Sequence, residues 1–271
     1  MQQLPFNAFV SDLDGTLLNR HYRIGEFTID TLNKLEQKGV DIILATGRNH
    51  TDVQSILQKI GSEKALMITS NGARVRDLQG NLIYSNSLPE ALAREIYQTP
   101  FDRSKVCLNT YQDEGWFINV EVPELAKYHQ DSGLMYQVVD FNRHHARDME
   151  KIFFIARNPK DLLPVEEYLR ANYSDCTSIV YSAVTCLEVM NKGVSKGDAL
   201  AHVLQDKPYG LQNCIAFGDG MNDLEMLSRV GKGCIMQDAD ARLKEACPHL
   251  EQIGSHQDEA VATYAREIFG V

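Results

Sequence analysis

The sequence predicts an α/β protein in which a Rossmann-like parallel sheet forms the core and an α+β domain is inserted into that core. Three observations support this prediction. Apolar strand segments alternate with amphipathic helical segments in the first third of the chain and again near its end. The region between them has shorter, more polar strand patterns. Glycine-containing polar loops follow several core strands, which is where ligands bind in open parallel sheets.

The first third of the chain alternates strands and helices. Strands are predicted where apolar residues run together, and helices where apolar residues recur every three or four positions. The predicted strands are residues 8–10, 40–45 and 65–69, and the predicted helices are 27–38 and 53–60. Strands that are separated by helices pair in parallel, so their carboxyl ends share one edge of the sheet.

The pattern changes between Leu88 and Cys186, where strand and helix signals are mixed. The strand candidates there are 106–108, 116–120, 136–139, 151–155 and 178–181, and the helix candidates are 89–98, 123–130 and 159–172. The earlier rhythm returns afterwards, with strands at 187–189, 214–217 and 233–236 and helices at 196–205 and from 222. We therefore predict a discontinuous core domain of residues 1–87 and 187–271 and an α+β insert of residues 88–186.

Composition limits the classes of function. The chain has 271 residues, and its 44% of hydrophobic residues is typical of a globular protein. Its formal net charge of -10 argues against non-specific binding of nucleic acid or anionic lipid, because both require a positively charged face. No segment reaches the roughly 18 apolar residues of a membrane span, and we expect a cytoplasmic location. The six cysteines form no C-x-x-C pair and are expected to be free thiols. The oligomeric state is left open.

Two carboxylates stand directly after the first strand. Asp12 and Asp14 are followed by Gly15 and Thr16. Carboxylates this close raise each other's proton affinity and repel each other unless a ligand, a cation or phosphate, offsets the repulsion, and we expect something positive there. A calcium-binding EF-hand is not indicated, because glycine comes too early in the loop and Arg23 stands where the final glutamate would be. We therefore expect a different kind of cation site.

A second loop follows the second strand and opens a helix. It contains Thr46, Gly47 and Arg48. Backbone N–H groups at a helix start, together with a hydroxyl and a glycine that allows close approach, can hold a phosphate. An ordinary helix cap explains the same residues equally well.

A third loop, residues 193–197, supports two interpretations. Its G-x-S-x-G pattern is typical of the nucleophile turn of serine hydrolases, which would make Ser195 a nucleophile. Ser195 with Asp198 three residues later also fits a helix N-cap, which requires no chemistry. Lys196 beside it could supply a point charge to a phosphate.

The fourth loop, residues 218–223, follows another apolar strand and precedes a helix. Asp219, Asn222 and Asp223 offer carboxylate and amide oxygens beside two glycines. Such oxygen donors suit a hard divalent cation, although an acidic turn with Asn222 as helix cap is the simpler alternative.

In this order the four loops resemble the four motifs of the haloacid dehalogenase (HAD) superfamily. The motif residues are Asp12–Thr16, Thr46–Arg48, Lys196–Gly197 and Gly218–Asp223. The insert resembles the C2B-type cap of the Cof-type phosphatase branch. Segments 233–236 and 253–255 are most similar to pyridoxal phosphate and sugar phosphate phosphatases of that branch.

The resemblance implies a Mg²⁺-dependent phosphatase that hydrolyses small phosphorylated metabolites, pyridoxal phosphate or sugar phosphates among them. It implies that Asp12 forms an aspartyl-phosphate and that Asp14 is the general acid and base. Magnesium would be held by Asp12, Asp219 and the Asp14 backbone carbonyl. The implied phosphate-binding residues are Leu13, Thr46, Gly47, Lys196 and Asn222, with Asp223 orienting the groups around the metal.

The remaining expectations concern selectivity and alternatives. The insert is expected to close over the site, with Glu188 and the Ser70–Gly72 turn lining the crevice. Arg48 is expected to be structural or peripheral. Candidate selectivity residues in the insert are Asn109, Tyr111, Trp116, Arg143, His144 and His145. A phosphoacceptor regulatory protein with a stable phosphoaspartate would use the same residue types at the strand ends, and a serine hydrolase would use Ser195.

Overall fold

The computed structural model describes residues 4–62, 64–112, 115–125, 129 and 132–271. Its strands are β1 (Ala8–Ser11), β2 (Asp41–Ala45), β3 (Leu66–Thr69), β4 (Arg74–Arg76), β5 (Leu82–Ser85), β6 (Val106–Gln112), β7 (Gly115–Ile118), β8 (Tyr136–Val138), β9 (Met149–Ala156), β10 (Thr177–Ala183), β11 (Cys186–Asn191), β12 (Cys214–Gly218), β13 (Lys232–Met236) and β14 (Glu251–Ile253). Its helices are α1 (Glu26–Gln37), α2 (His50–Ile60), α3 (Glu90–Ile96), α4 (Leu163–Tyr173), α5 (Lys196–Val203), α6 (Leu224–Arg229), α7 (Ala241–Ala246) and α8 (Ala260–Phe269).

The chain divides into two compact units. The first comprises Met1–Tyr84 and Ser195–Val271, and the second comprises Ser85–Val194. The first unit contains an eight-stranded sheet in the order β14-β13-β12-β1-β2-β3-β4-β5. The strands from β14 to β3 pair in parallel, and β4 turns back antiparallel to β3. The predicted α/β class with a parallel core sheet is confirmed.

Strand β1 lies in the middle of the core sheet because its sequence has no polar face. All four of its residues are buried, and Val10 pairs with Ile43 of β2 and with Ala216 of β12. A strand whose two faces are both buried has a nearly continuous run of apolar residues, as is usual in parallel sheets that are covered by helices on both faces. The covering helices bury their apolar positions, as Leu32 and Leu35 of α1 do.

The second unit contains a separate six-stranded sheet in the order β10-β11-β9-β6-β7-β8. Its pairs are antiparallel except for β7 with β8. Helices α3 and α4 bury residues such as Ile96 and Leu169 in an apolar cluster with strand residues such as Phe154. A second cluster contains Tyr111, Trp116 and other buried aromatic and apolar residues.

Residues 187–189 were predicted to form a strand of the core domain, but they lie in β11 of the second unit. Strand β11 pairs antiparallel with β9 and β10 in the six-stranded sheet, so residues 187–191 belong to the second unit. A two-residue connection joins Ala183 to Cys186, and a hairpin this tight keeps β11 beside β10. An apolar run such as 187–189 fits either sheet, and its pairing partners decide between them.

Further features depart from the sequence-based expectations. Strands β4, β5 and β14 and helices α7 and α8 were not predicted. Strand β4 has only three residues, and β5 is largely exposed. The helix predicted at 123–130 falls on residues of which 126–128 and 130 lie outside the described part of the chain. Among the helices that the structure describes, none combines the length and apolar character needed to cross a bilayer.

Candidate active site

Three of the four motif loops leave adjacent strands of the core sheet at the same edge. Strand β1 lies between β2 and β12, and both pairings are parallel. Asp12, Thr46 and Asp219 each follow the carboxyl end of one of these strands. The third loop contributes Lys196 as the first residue of α5, and this helix packs on α6 and on the Ser70–Gly72 turn.

Lys196 joins two of the motif carboxylates. Its Nζ lies 2.7 Å from Oδ1 of Asp12 and 2.7 Å from Oδ1 of Asp223. The Lys196 and Asp223 side chains are completely buried, and Asp12 is nearly so. These three charged groups hold one another in place, because moving one of them would leave a buried charge without its partner, which costs several kcal/mol.

Asp223 fixes the backbone of its own loop. Its Oδ2 accepts hydrogen bonds from the N–H groups of Asp219, at 3.0 Å, and Gly220, at 2.9 Å. Gly218 permits this close approach, since a Cβ at that position would lie 2.6 Å from the Asp223 side chain. Both Asp223 oxygens therefore have protein donors, which suits Asp223 to orienting the loop that carries Asp219.

Asp219 is fixed from the other side by the first loop. Thr16 donates its hydroxyl hydrogen to Oδ1 of Asp219 at 2.8 Å. Gly15 has a φ of 76° and faces the same carboxylate, and a Cβ there would lie 2.4 Å from Oδ2 of Asp219. The glycine of the first motif is thus needed both for the left-handed turn and for the space that Asp219 occupies.

The cluster has more negative than positive charge. Asp12, Asp219 and Asp223 supply three carboxylates whose ligand atoms lie within 4.8 Å of one another, and Lys196 supplies one ammonium. Burial raises the pKa of Asp12 well above its usual value, and although Lys196 lowers it, Asp223 and Asp219 raise it further. Burial and Asp223 raise the pKa of Asp219 to about 7.

These residues fit a divalent cation. With their carboxylates ionised, Asp12, Asp219 and Asp223 together with the Lys196 ammonium carry an excess of two negative charges, which a divalent cation would balance. Burial lowers the pKa of Lys196, but Asp12 and Asp223 outweigh burial and raise it overall, so the ammonium keeps its proton. Clustered carboxylate oxygens are the ligands of hard cations.

Asp14 lies apart from this cluster. Arg48 donates to its carboxylate through Nε and Nη2, each at 2.6 Å, in a two-point ion pair. The Asp14 side chain is 41% exposed, whereas that of Arg48 is only 12% exposed. Of the two roles expected for Arg48, structural or peripheral, this contact fits the structural one, because the two-point ion pair joins the second motif to the first.

The other predicted phosphate-binding residues lie around the same strand ends. Leu13 and Thr46 are buried, and the Thr46 hydroxyl accepts a hydrogen bond from the Arg48 N–H at 3.2 Å. Asn222 donates from Nδ2 to Oδ1 of Asn71 at 3.0 Å. Gly47 stands between Thr46 and Arg48 in the second loop. The contact between Asn71 and Asn222 was not expected from sequence.

Ser195 caps a helix. Its Oγ accepts a hydrogen bond from the Asp198 N–H at 3.0 Å, at the start of α5. Its hydroxyl also donates to Oδ2 of Asp198 at 3.0 Å. The G-x-S-x-G pattern is thus explained by capping, with Gly197 allowing α5 to pack closely on residues 225 and 226 of the next helix.

Residues expected to confer selectivity lie mainly in the interior of the second unit. Glu188 does not stand at a core strand end: its Oε1 accepts from Lys151 at 2.8 Å inside the six-stranded sheet. Trp116 donates to Asn109 within the same sheet at 3.0 Å, and Tyr111 is buried beside it. Of the three basic candidates, Arg143 is exposed, and His144 and His145 have ring centroids 4.5 Å apart.

Comparison with known protein families identifies the family to which this chain belongs. Residues 9–264 match the model of the haloacid dehalogenase-like hydrolases, which is almost the whole chain. The chain belongs to the haloacid dehalogenase-like hydrolases. The relationship predicted from the four motifs is confirmed, and the enzyme interpretation holds over a non-enzymatic phosphoacceptor.

Relatives of this HAD family extend over the full chain. A protein of Haemophilus influenzae, provisionally named a phosphatase, is 67% identical over 268 residues, covering 99% of this chain and 98% of that protein. An HMP-PP phosphatase of Yersinia pseudotuberculosis is 37% identical over 253 residues, covering 93% and 92%. With the family match, these relatives make the chain a HAD-type phosphatase.

Solved structures show the same fold. A haloacid dehalogenase-like hydrolase from Bacteroides thetaiotaomicron matches with a TM-score of 0.83 and 22% identity, covering 97% of this chain and all of that one (100%). A sugar phosphatase of HAD subclass IIB matches with a TM-score of 0.80 and 21% identity, covering 97% and 99%. The likeness extends over both units of the chain.

Proposed function

We propose that this protein is a magnesium-dependent phosphatase that hydrolyses small phosphate monoesters through an aspartyl-phosphate on Asp12. The observation that carries the proposal is the Asp12 carboxylate at the end of β1, held by Lys196 at 2.7 Å beside Asp219 and Asp223. Lys196 directs the carboxylate, and a fixed nucleophile lowers the entropic part of the barrier. The charge excess of the cluster supports the choice of a divalent cation.

The first step transfers the phosphoryl group to the protein. A carboxylate oxygen of Asp12 attacks phosphorus, and the bond from phosphorus to the ester oxygen breaks. Asp14 donates a proton to that departing oxygen. Its exposed carboxyl, outside the Lys196 cluster and oriented by Arg48, suits a group that exchanges protons with substrate and water.

The second step returns the protein to its starting state. Asp14, now a carboxylate, takes a proton from water, and the water oxygen attacks phosphorus while the bond to Asp12 breaks. Inorganic phosphate leaves. Lys196, Asn222, the Thr46 hydroxyl and the N–H groups of Leu13 and Gly47 would hold the phosphate oxygens during both steps.

Magnesium would be bound by Asp12, Asp219 and the Asp14 carbonyl, with Asp223 orienting the loop. Lys196 holds Oδ1 of Asp12 and Thr16 holds Oδ1 of Asp219, so both carboxylates would already be oriented when the ion binds. When bound, the ion supplies positive charge that reduces repulsion between the anionic nucleophile and the anionic substrate.

The substrate class is proposed from the relatives and from the sequence. The HMP-PP phosphatase relative and the sugar phosphatase that shares the fold support a small phosphorylated metabolite. Pyridoxal phosphate and hexose phosphates are therefore the first candidates, with other small phosphate esters beside them. The cytoplasmic location expected from sequence stays a prediction.

A phosphate-release panel tests the proposal. Wild type is assayed on pyridoxal phosphate, hexose phosphates, HMP-PP and p-nitrophenyl phosphate, with magnesium and with a chelator. Asp12→Asn should lose at least about a thousandfold in turnover, since removal of a catalytic nucleophile has effects of this order. Asp206→Asn removes an exposed carboxylate of the same unit and should be unchanged. Equal turnover in wild type and Asp12→Asn would refute the nucleophile.

A trapping experiment tests the intermediate separately. Protein mixed with substrate is quenched in acid, and the peptide that contains Asp12 is analysed by mass spectrometry for a phosphoryl group that hydroxylamine removes. We expect the modification in wild type during turnover and its decay once substrate is exhausted. A modification that persists long after substrate is gone would instead support a stable phosphoaspartate.

A further inference from the structure

The Ser70–Gly72 turn contacts three of the four motif loops, the second, the third and the fourth. It follows β3 directly, and all three of its residues are buried. The Ser70 N–H donates to the Arg48 carbonyl at 3.0 Å, and the Asn71 N–H donates to the Thr46 carbonyl at 2.9 Å. The second motif is therefore held by the backbone of this turn.

The same turn also touches the third motif. Gly72 packs against the backbone of Ser195, and a Cβ on Gly72 would lie 2.2 Å from the Ser195 carbonyl oxygen. Ser195 is the cap of α5, and the next residue is Lys196. The position of Lys196 thus depends on how closely this turn approaches the start of α5.

The fourth motif is held by a side chain. Oδ1 of Asn71 accepts from Nδ2 of Asn222 at 3.0 Å, across 151 residues of sequence. Among the described residues, Asn71 is the hydrogen-bond partner of the Asn222 side chain. An amide nitrogen carries two hydrogens, so the bond to Asn71 fixes the amide plane and directs the second hydrogen.

The backbone of the turn is unusual for its residues. Ser70, Asn71 and Gly72 have φ angles of 49°, 57° and 105°, three left-handed residues in succession. Only glycine adopts this region without cost, and asparagine tolerates it better than most other residues. Left-handed residues that surrounding structure holds in place are concentrated at functional sites.

We propose that Asn71 is a positioning residue for phosphate binding, acting by orienting the Asn222 amide toward the phosphate. The inference rests on the proposed function, because it takes Asn222 as a phosphate ligand. It adds a residue from the turn after β3, outside the four motifs. The Asn71 side chain is 1% exposed and acts through Asn222.

A double-variant cycle with Asn71→Gly and Asn222→Ala tests the proposal. Glycine keeps the left-handed backbone and removes the Asn71 side chain with its acceptor oxygen, so the fold should persist. The measured quantities are the inhibition constant of inorganic phosphate and the separate kcat and KM for p-nitrophenyl phosphate. We expect Asn71→Gly to raise the inhibition constant and KM about fivefold, the size of one lost hydrogen bond, with a smaller change in kcat.

The double variant separates positioning from general stabilisation. In the Asn222→Ala background, Asn71→Gly should cause no further loss of phosphate affinity, because the amide that it orients is already gone. Losses that multiply in the double variant, or an unchanged inhibition constant in Asn71→Gly, would overturn the proposal. Asp148→Gly is the control, since it places glycine at another left-handed residue in the other unit and should leave phosphate affinity unchanged.

The outcome for Asn222→Ala alone distinguishes this inference from the proposed function. If that variant binds inorganic phosphate as wild type does, Asn222 is not a phosphate ligand and the role of Asn71 is refuted. The nucleophile would remain assigned to Asp12, because Asp12→Asn tests it independently.

Discussion

Arg48 holds the carboxylate of Asp14 through two hydrogen bonds of 2.6 Å. Their positions are 34 residues apart, and each follows the end of a neighbouring strand. The pair sets the direction of the proposed acid and base, whereas Lys196 sets that of the nucleophile. The two carboxylates of the first motif are thus oriented by different cations.

The Arg48 contact predicts a dependence on the leaving group. Arg48→Lys keeps the charge but loses the two-point geometry, so Asp14 should be less well oriented for proton donation. We expect kcat/KM to fall about tenfold or more for alkyl phosphates, within the range of general acid catalysis. The fall should be much smaller for p-nitrophenyl phosphate, whose leaving group hardly needs a proton. Equal losses for both ester types would contradict the orienting role.

Removal of the buried cation should destabilise the fold. Lys196→Met leaves the buried carboxylates of Asp12 and Asp223 without their ammonium partner. Breaking such a buried pair costs about 3–5 kcal/mol of unfolding free energy. Urea denaturation in a chelator measures the loss. Adding Asp223→Asn to Lys196→Met should recover part of the stability, and a double variant less stable than Lys196→Met would contradict the charge argument.

Metal binding should stabilise the protein. Magnesium at about a hundred times its dissociation constant should raise the unfolding free energy by about 2.7 kcal/mol, if it binds only the folded state. Asp219→Asn should reduce the magnesium-dependent rise in the thermal midpoint, and excess chelator should reverse the rise in wild type. Asp206→Asn is the matched control. A rise of equal size in Asp219→Asn would place the ion elsewhere.

The Ser70–Gly72 turn makes a stability prediction that does not depend on catalysis. Gly72→Ala forces a Cβ to 2.2 Å from the Ser195 carbonyl at a φ of 105°, so the unfolding free energy should fall by more than about 2 kcal/mol. Gly80→Ala has a φ of 84° with nothing within 4 Å and should lose only about 1 kcal/mol. Similar losses at the two glycines would show that the contact is unimportant.

Buried thiols predict a loss of stability in alkali. Burial raises the pKa of Cys214 and of Cys234 to about 12, whereas the thiol of an unfolded chain has a pKa of about 8.5. Above the unfolded value the unfolded chain releases protons that the folded chain keeps, so stability falls as pH rises toward the folded pKa. The slope is at most about 1.4 kcal/mol per pH unit for each thiol. Urea unfolding between about pH 8 and 10 measures this effect. The unfolding free energy should fall less steeply with pH in the double variant Cys214→Ala/Cys234→Ala than in wild type.

The sequence by itself determined the class of the fold and the residues of the four loops. The apolar runs that became β1, β2, β3 and β12 are local, and they predict strands wherever they occur. Parallel pairing then brings their carboxyl ends to one edge, which is why the motif residues could be named before their geometry was known. Strand β4 is only three residues long and β5 is largely exposed, and neither strand was predicted from the sequence.

The tertiary structure alone decided which distant side chains meet. Lys196 reaches Asp12 across 184 residues of sequence, Asn222 reaches Asn71 across 151, and β11 joins the six-stranded sheet rather than the core. A local pattern encodes periodicity and burial, which are properties of neighbouring residues. A hydrogen bond between distant residues depends on strand order and helix packing, and these follow from the free energy of the whole chain.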